Sequence, residues 1–324
     1  MIDRITNAQL TTEALPFAKP VLGVVLSLFD GMSCGQIALN RAGISYGKYY
    51  ASEIDKHAIK VTQHNYPDTI QLGSVTEIKG TDLPQIDLLI GGSPCQGFSF
   101  SGKQLNFDDP RSKLFFEFVR LIKECKPKYW LLENVVMKKE FEQVITEHLG
   151  VEPVKINSAL VSAQNRERLY WANFPIEQPN DKGIKLIDIL EDTQMIGPSA
   201  IRGRRLNKAT ILGRRLNDKG KREDYNKEIP ITQCLEVRAT NRDKSNCLTT
   251  VAKDNVLTTM PIGRHPDAFK NNLPFRYYTI KEYCRLQTVP ENYFDGVATE
   301  NQIRKMIGNG WTVDVITHIF GGLS

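Results

Sequence analysis

Apolar runs and polar, glycine-bearing turns alternate through the first half of the chain. Val21-Leu22-Gly23-Val24-Val25-Leu26-Ser27-Leu28-Phe29 is almost continuously apolar. That is the pattern of a strand buried on both faces. It runs into Asp30-Gly31-Met32-Ser33-Cys34-Gly35, and residues 36–42 read as the following helix. A second strand over 49–52 ends at Glu53, and 71–75 reads as the tip of a third. Residues 86–91 form a fourth strand that leads into Gly92-Ser93-Pro94-Cys95. Leu114, Phe115, Phe118, Leu121 and Ile122 recur at helical spacing within 111–125. A fifth strand, 129–132, ends in Glu133-Asn134-Val135; 141–149 reads as a helix, and 151–171 as two strands around 163–168. Strands that alternate with helices predict an α/β domain on a mostly parallel sheet. Ligands bind at the carboxyl ends of such strands. Glu53, Cys95 and Glu133 each follow a strand, so they are expected to line one crevice.

The pattern changes near Ile176. From there to Phe275 the chain is polar, rich in Gly, Asn, Arg and Lys, and weakly periodic. Gly203-Arg204-Arg205-Leu206-Asn207 is repeated as Gly213-Arg214-Arg215-Leu216-Asn217. Helical periodicity returns over 279–287 and 301–306, and a last helix starts near Trp311. These shifts predict a lead-in arm (1–20), a main domain (21–175 with 276–324) and a second, smaller domain (176–275).

Charge sharpens this division. The net charge is +5, but 202–228 alone holds ten Lys/Arg against four acids. Such a concentration suits a polyanion partner; a solvated surface loop would look the same. The six cysteines include no C-x-x-C pair, so neither a metal site nor a disulfide framework is suggested. No apolar run is long enough to span a bilayer, and the first twenty residues lack a secretory pattern. A cytoplasmic, reducing setting and a monomer are expected.

Cys95 stands out chemically. A thiol on a glycine- and serine-rich loop after a strand is placed for reaction, although a lone cysteine is more often a small buried hydrophobe. The turn at 30–35 resembles the opening of a nucleotide-type site, and tight strand–helix packing would need the same glycines.

Six segments together resemble the cytosine-C5 DNA methyltransferases. They are Phe29-Asp30-Gly31 through Gly35; Gly92-Ser93-Pro94-Cys95-Gln96 with its continuation to Gln104; Glu133-Asn134-Val135; Gln164-Asn165-Arg166-Glu167-Arg168; Arg276 through Pro290; and Gly308-Asn309-Gly310-Trp311-Thr312-Val313. Their order matches the family's, and the first and last look closest to the branch of eukaryotic de novo and phage or bacterial solitary enzymes. The resemblance implies a Rossmann-like methyltransferase sheet with a target-recognition domain at 176–275. It implies S-adenosylmethionine as methyl donor and double-stranded DNA as partner, with RNA on the same scaffold as the alternative. A silent DNA-binding relative or a nicotinamide-dependent oxidoreductase would lack a use for the full set.

The implied chemistry is covalent. Addition of the Cys95 thiolate to C6 of cytosine makes C5 nucleophilic. Glu133 would supply a proton at N3, and Arg166 and Arg168 would position the base, the phosphate and Glu133. The implied cofactor residues are Phe29, Asp30, Gly31, Met32, Ser33, Cys34, Glu53, Ile54, Ser74, Val75, Pro94, Leu114, Asn309, Trp311, Thr312 and Val313. Phe29 would pack on the adenine and Glu53 would take the ribose hydroxyls. The implied DNA contacts are Ser101, Arg204, Arg205, Arg214 and Arg215. One position departs from the family: Ser74 stands where an aspartate usually meets the adenine amino group.

Overall fold

The structure, a computed structural model, describes residues 20–94, 114–191, 207–238 and 243–323. In the first body the chain runs β1 (Leu22–Leu28), α1 (Cys34–Ala42), β2 (Tyr46–Ser52), α2 (Lys56–Asn65), β3 (Ile70–Gln71), β4 (Leu88–Gly92), α3 (Leu114–Cys125), β5 (Tyr129–Val135), α4 (Lys139–Leu149), β6 (Val154–Asn157) and β7 (Glu167–Ala172). These strands form one sheet in the order β3-β2-β1-β4-β5-β7-β6. Pairing is parallel from β3 to β5 and antiparallel on both sides of β7. The expected α/β class and mostly parallel sheet are present.

The continuous apolar strands are explained by two cores. Val25, Leu88 and Leu131 pack with α1 and α2 on one face of the sheet. Leu26, Leu89 and Leu132 pack with α3 and α4 on the other. Neither face meets water, so no polar alternation is tolerated. Two boundaries differ from the sequence pattern. Gly73, at φ 75, turns the chain, so 71–75 is not a strand tip; the strand stops at Gln71 and a short turn covers Val75–Glu77. Strand β5 continues through Val135 because β7 pairs with it there, opposing Glu133 with Tyr170. Glu133 therefore sits inside a strand, held on both sides.

The second body is an antiparallel sheet. After α5 (Leu186–Ile189) come β8 (Asn207–Arg215), β9 (Ile231–Val237), β10 (Val256–Thr258), β11 (Gly263–His265) and β12 (Phe275–Tyr277). Their order is β11-β9-β8-β10-β12. One face carries its own small core of Ala209, Ile211, Leu235, Val237, Val256 and Phe275. The packing does not follow the 176/275 limits drawn from composition. Leu186, Ile189, Leu248 and Leu257 join the core of the first body, and β12 runs past 275. Composition averages over segments, whereas burial is decided residue by residue.

The chain then returns through α6 (Ile280–Gln287), α7 (Glu300–Asn309) and α8 (Val313–Phe320), with α8 packed on α1. A buried ion pair fastens the small sheet to α6. Arg276 of β12 donates to both oxygens of Glu282, each at 2.7 Å. Glu282 also accepts from the backbone N–H groups of Thr279 (2.9 Å) and Glu191 (2.8 Å). Removing one partner of such a pair leaves a buried charge without compensation, at a cost of about 3–5 kcal/mol. Arg276→Ala should therefore lower stability by that amount in urea unfolding; a loss below about 1 kcal/mol would show that the backbone donors alone satisfy Glu282.

Candidate active site

The carboxyl ends of β1, β4 and β5 open into a cavity of about 380 Å³. Phe29, Asp30, Gly31, Met32, Cys34, Glu53, Pro94, Asn309 and Trp311 line it, together with Glu133, Arg166 and Arg168. The structure thus brings these predicted residues to one place. The loop after β1 is tightly wound: Phe29, Gly31 and Ser33 have φ 58, 59 and 64. Two non-glycine residues in the left-handed region cost of order 1 kcal/mol each, so the surroundings must hold the loop. Glu53 does so. Its Oε2 accepts from Gly31 N–H at 2.8 Å, and its Oε1 accepts from the N–H groups of Ile54 (2.7 Å) and Asp55 (2.8 Å).

Asp30 is an acid held within the cavity wall. Its Oδ1 accepts from the Tyr49 hydroxyl at 2.8 Å, while among the described residues Oδ2 is buried without a hydrogen-bond partner. Burial pushes its carboxyl up to about 6, against the pull of the hydroxyl donors. Such a group suits a cationic ligand. Cys34, next in the loop, is a different case: burial pushes its thiol up to about 12, which makes it inert.

Several predicted cofactor residues lie off the cavity. Ile54 points into solvent. The Ser74 hydroxyl bonds that of Thr76 at 2.8 Å and caps the following turn. Val75 and Leu114 pack on the α3 side of the sheet. Ser33 is buried at the start of α1, accepting from Gln36 Nε2 at 2.8 Å. Thr312 donates to Gln287 Oε1 at 2.7 Å, inside the core, and Val313 is fully buried.

Glu133 is buried at the cavity wall. Arg168 Nε lies 3.0 Å from its Oε1, and the Trp311 indole N–H donates to its Oε2 at 3.0 Å. Gly92 makes room for this bracket, because a Cβ there would come within 2.9 Å of the indole nitrogen and 3.0 Å of Oε2. The neighbouring Asn134 donates to the Ser93 hydroxyl at 3.0 Å, which anchors the start of the cysteine loop. Cys95 itself lies outside the described residues, as do Ser101, Arg204 and Arg205.

Arg166 departs from the role implied for it. It is buried and donates to the carbonyls of Gly310 (2.9 Å), Leu248 (3.2 Å) and Gly308 (3.4 Å), and to Cys247 Sγ (3.3 Å). Of the two arginines, Arg168 is the one bonded to Glu133 among the described residues. Arg214 and Arg215 are likewise engaged within the protein: Arg214 Nε bonds Glu236 Oε1 at 2.9 Å, and Arg215 donates to the carbonyls of Lys227 and Ile229. Cys247 and Gly92 belong to the site by contact alone. Gly92 opens the Gly-Ser-Pro-Cys segment, but nothing local distinguishes Cys247 from a core cysteine.

Residues 24–324 match the family described as C-5 cytosine-specific DNA methylase. A type II methyltransferase of Lactococcus lactis subsp. cremoris is 32% identical over 319 residues, covering 90% of this chain and 75% of that protein. An orphan methyltransferase of Bacillus phage SPR is 38% identical over 162 residues, which are 45% of this chain and 36% of the phage protein. Among solved structures, a methyltransferase of Entamoeba histolytica aligns with a TM-score of 0.63 at 17% identity, covering 94% of this chain and 98% of that one. A Dnmt2 of Spodoptera frugiperda aligns at 0.62 and 18% identity, covering 93% and 99%. These two likenesses concern the fold.

The Asp30 carboxyl yields a prediction with a defined sign. Its folded value is raised from 3.8 to about 6, so the folded state binds the proton more tightly than the unfolded chain does. Ionised Asp30 therefore destabilises the protein above pH 6, and the penalty fades as pH falls from 6 to 4. A shift of about two units corresponds to roughly 3 kcal/mol at most. Asp30→Asn should raise the unfolding free energy at pH 7.5 by up to that amount, with the gain gone by pH 4, and should weaken binding of a cationic ligand. A gain that is equal at both pH values would remove the electrostatic explanation.

Proposed function

This chain belongs to the C-5 cytosine-specific DNA methylase family, and from that premise we propose that it moves a methyl group from S-adenosylmethionine to C5 of a cytosine flipped out of duplex DNA. The target atoms of a stacked, paired base are inaccessible, so flipping is required. The observation that carries the reading is Glu133, bracketed by Arg168 and Trp311 at the wall of the cavity, on the strand beside the one that leads to Cys95. The family description and the type II methyltransferase relatives support DNA over RNA as substrate.

The residues fit the proposed cofactor. The unpartnered Asp30 oxygen favours a cation, and Phe29 and Trp311 offer aromatic faces within the same cavity. When bound, S-adenosylmethionine supplies the electrophilic methyl group. Asp30 and Glu53 would hold its charged and hydroxyl groups. Among the described residues no group of three or more His, Cys, Asp or Glu could hold a metal ion, and no helix is long and apolar enough to cross a membrane.

In the proposed chemistry the Cys95 thiolate forms a bond to C6, and the ring electrons shift toward N3 and C5. Glu133 holds a proton at N3, where negative charge would otherwise develop. Arg168 keeps that carboxyl oriented through Oε1. After C5 has gained the methyl group, loss of the C5 proton and elimination of the thiolate restore the aromatic ring. Arg166 acts one step back, by holding the loops that carry Cys247 and Trp311.

Duplex DNA with 5-fluorocytosine at the target should form an adduct with Cys95 that survives denaturation, because fluorine does not leave as a proton does. Cys95→Ala should abolish the adduct, and an adduct that persists would refute the assignment of the nucleophile. Glu133→Gln should slow single-turnover methyl transfer by about 10²–10⁴-fold, the usual range for a positioned proton donor. Tritium transfer to duplex DNA but not to tRNA would support the substrate; the reverse would favour the RNA alternative.

A further inference from the structure

The two faces of the small sheet have different surroundings. Ala209 and Ile211 of β8, Val256 of β10 and Phe275 of β12 point into its own core. The alternate residues occupy the other face, and at one end that face is closed by the first body. Leu257, paired with Lys208 on one side and Arg276 on the other, packs in the large core. Moving across the sheet from β10 through β8 and β9 to β11, the same face leaves that contact. There it carries Arg214, Glu236 and Arg264, with Arg264 directly opposite Glu236. This polar half of the sheet therefore shares its face with Leu257 but lies beyond the contact with the first body.

Glu236 is the centre of that half. Its side chain is 9% exposed, and it is met by three guanidinium groups. Arg214 Nε lies 2.9 Å from Oε1, Arg264 Nε lies 3.1 Å from Oε1, and Arg238 Nη2 lies 3.3 Å from Oε2. The three arginines are not equivalent. Arg214 is 14% exposed and also approaches Asp224 at 3.6 Å, so it is embedded in the sheet. Arg238 is 67% exposed and bonds through a terminal nitrogen. Arg264 is 35% exposed and is gripped through its inner nitrogen. Among the described residues its two terminal nitrogens have no hydrogen-bond partner.

We infer that Arg264, oriented by Glu236, reads a guanine of the recognised DNA sequence, and that Glu236 is the positioning residue for this contact. The inference rests on the DNA methyltransferase reading above. The free edge of a guanidinium anchored at Nε presents two parallel N–H donors. That edge matches the O6 and N7 acceptors of guanine in the major groove, a bidentate contact that a single charge cannot reproduce. A phosphate contact would need positive charge but no buried carboxylate to fix the fork; a nearby acid would weaken it. The carboxylate is thus a cost to plain affinity that makes sense where orientation matters. The four arginines expected from sequence to touch DNA do not include this one.

The experiment is methylation-sensitive sequencing of DNA from cells that express the full chain and three variants: Arg264→Ala, Arg264→Lys and Glu236→Gln. The unaltered chain should methylate a defined sequence. Arg264→Ala should relax discrimination at one G·C pair of that sequence by about 10- to 100-fold, the range for one bidentate base contact. Arg264→Lys, which keeps the charge but not the fork, should relax the same position. Glu236→Gln should relax it as well, with a smaller effect; if that variant fails to fold, the two Arg264 variants still decide the matter. Stringency unchanged at every position in both Arg264 variants would overturn the inference while leaving the DNA reading intact. Rescue by lysine, with binding weakened equally on all sequences by alanine, would mark a phosphate contact and overturn it too. If the unaltered chain methylated no DNA at all, the underlying reading would be the one to fall.

Discussion

The burial of one guanidinium, that of Arg166, conditions much of what surrounds it. Burial pulls this group below its ordinary pKa and would be prohibitive without compensation. Among the described residues no carboxylate bonds it directly. Backbone carbonyls of Leu248, Gly308 and Gly310 supply the dipoles instead. They belong to two segments that sequence places far apart, one before the last strands of the small sheet and one at the end of α7. Satisfying Arg166 therefore forces these segments against β7. A second set of buried amides runs alongside. Gln164 takes the N–H of Leu248 at 2.7 Å and donates to Gln287 at 2.9 Å, and Gln287 donates to the carbonyls of Ile307 and Gly310, each at 2.9 Å. The approach is close enough that a Cβ on Gly308 would lie 2.5 Å from the Thr249 carbonyl.

Because of this convergence the Glu133 carboxyl is held by a closed circuit rather than by one partner. Glu133 meets Arg168, Arg168 approaches Cys247 Sγ at 3.9 Å, and Cys247 meets Arg166. Arg166 holds the Gly310 carbonyl, one residue from Trp311, whose indole returns to Glu133. Members come from the main sheet, from the segment that links the small sheet and from the loop after α7. A buried polar network of this kind rigidifies only when every member is satisfied. It also means that Trp311, in the wall of the cavity, and the acid proposed to act on the base share one hydrogen bond. The same cavity keeps a carboxyl, Asp30, partly unsatisfied. That is a local sacrifice of stability of the sort found where a charged ligand is to be received.

The small sheet divides its tasks by face. Its apolar face makes a core that needs no help from the first body, while its polar face is organised around Glu236. Three arginines of the basic segment that stands out in composition are engaged within its own hairpin. Arg215 folds back onto the carbonyls of Lys227 and Ile229, Arg222 pairs with Asp224, and Arg214 is drawn to Glu236. Net charge over a segment describes a long-range field. It says little about which side chain is free at its tip, since neighbouring acids and carbonyls decide that.

The alternation of buried strands with amphipathic helices was enough, from sequence alone, to determine the α/β class and the parallel sheet, and the strand-end positions were enough to bring Glu53 and Glu133 to one crevice; Phe29, Asp30, Arg168 and Trp311 joined them through the family resemblance. Those features are legible because backbone periodicity and strand-end loops are local properties. The element limits at Gly73 and Val135 were not legible, since one depends on a single φ angle and the other on a partner strand. Which arginine holds Glu133, and which holds the loops, was settled only by packing. So were the bond from Trp311 to Glu133, which spans 178 positions of chain, the place of Cys247 between two guanidiniums, and the capture of Arg264 by Glu236. Each is a contact between side chains distant in sequence, and its existence depends on how two bodies and a returning C-terminus pack together, which no local pattern encodes.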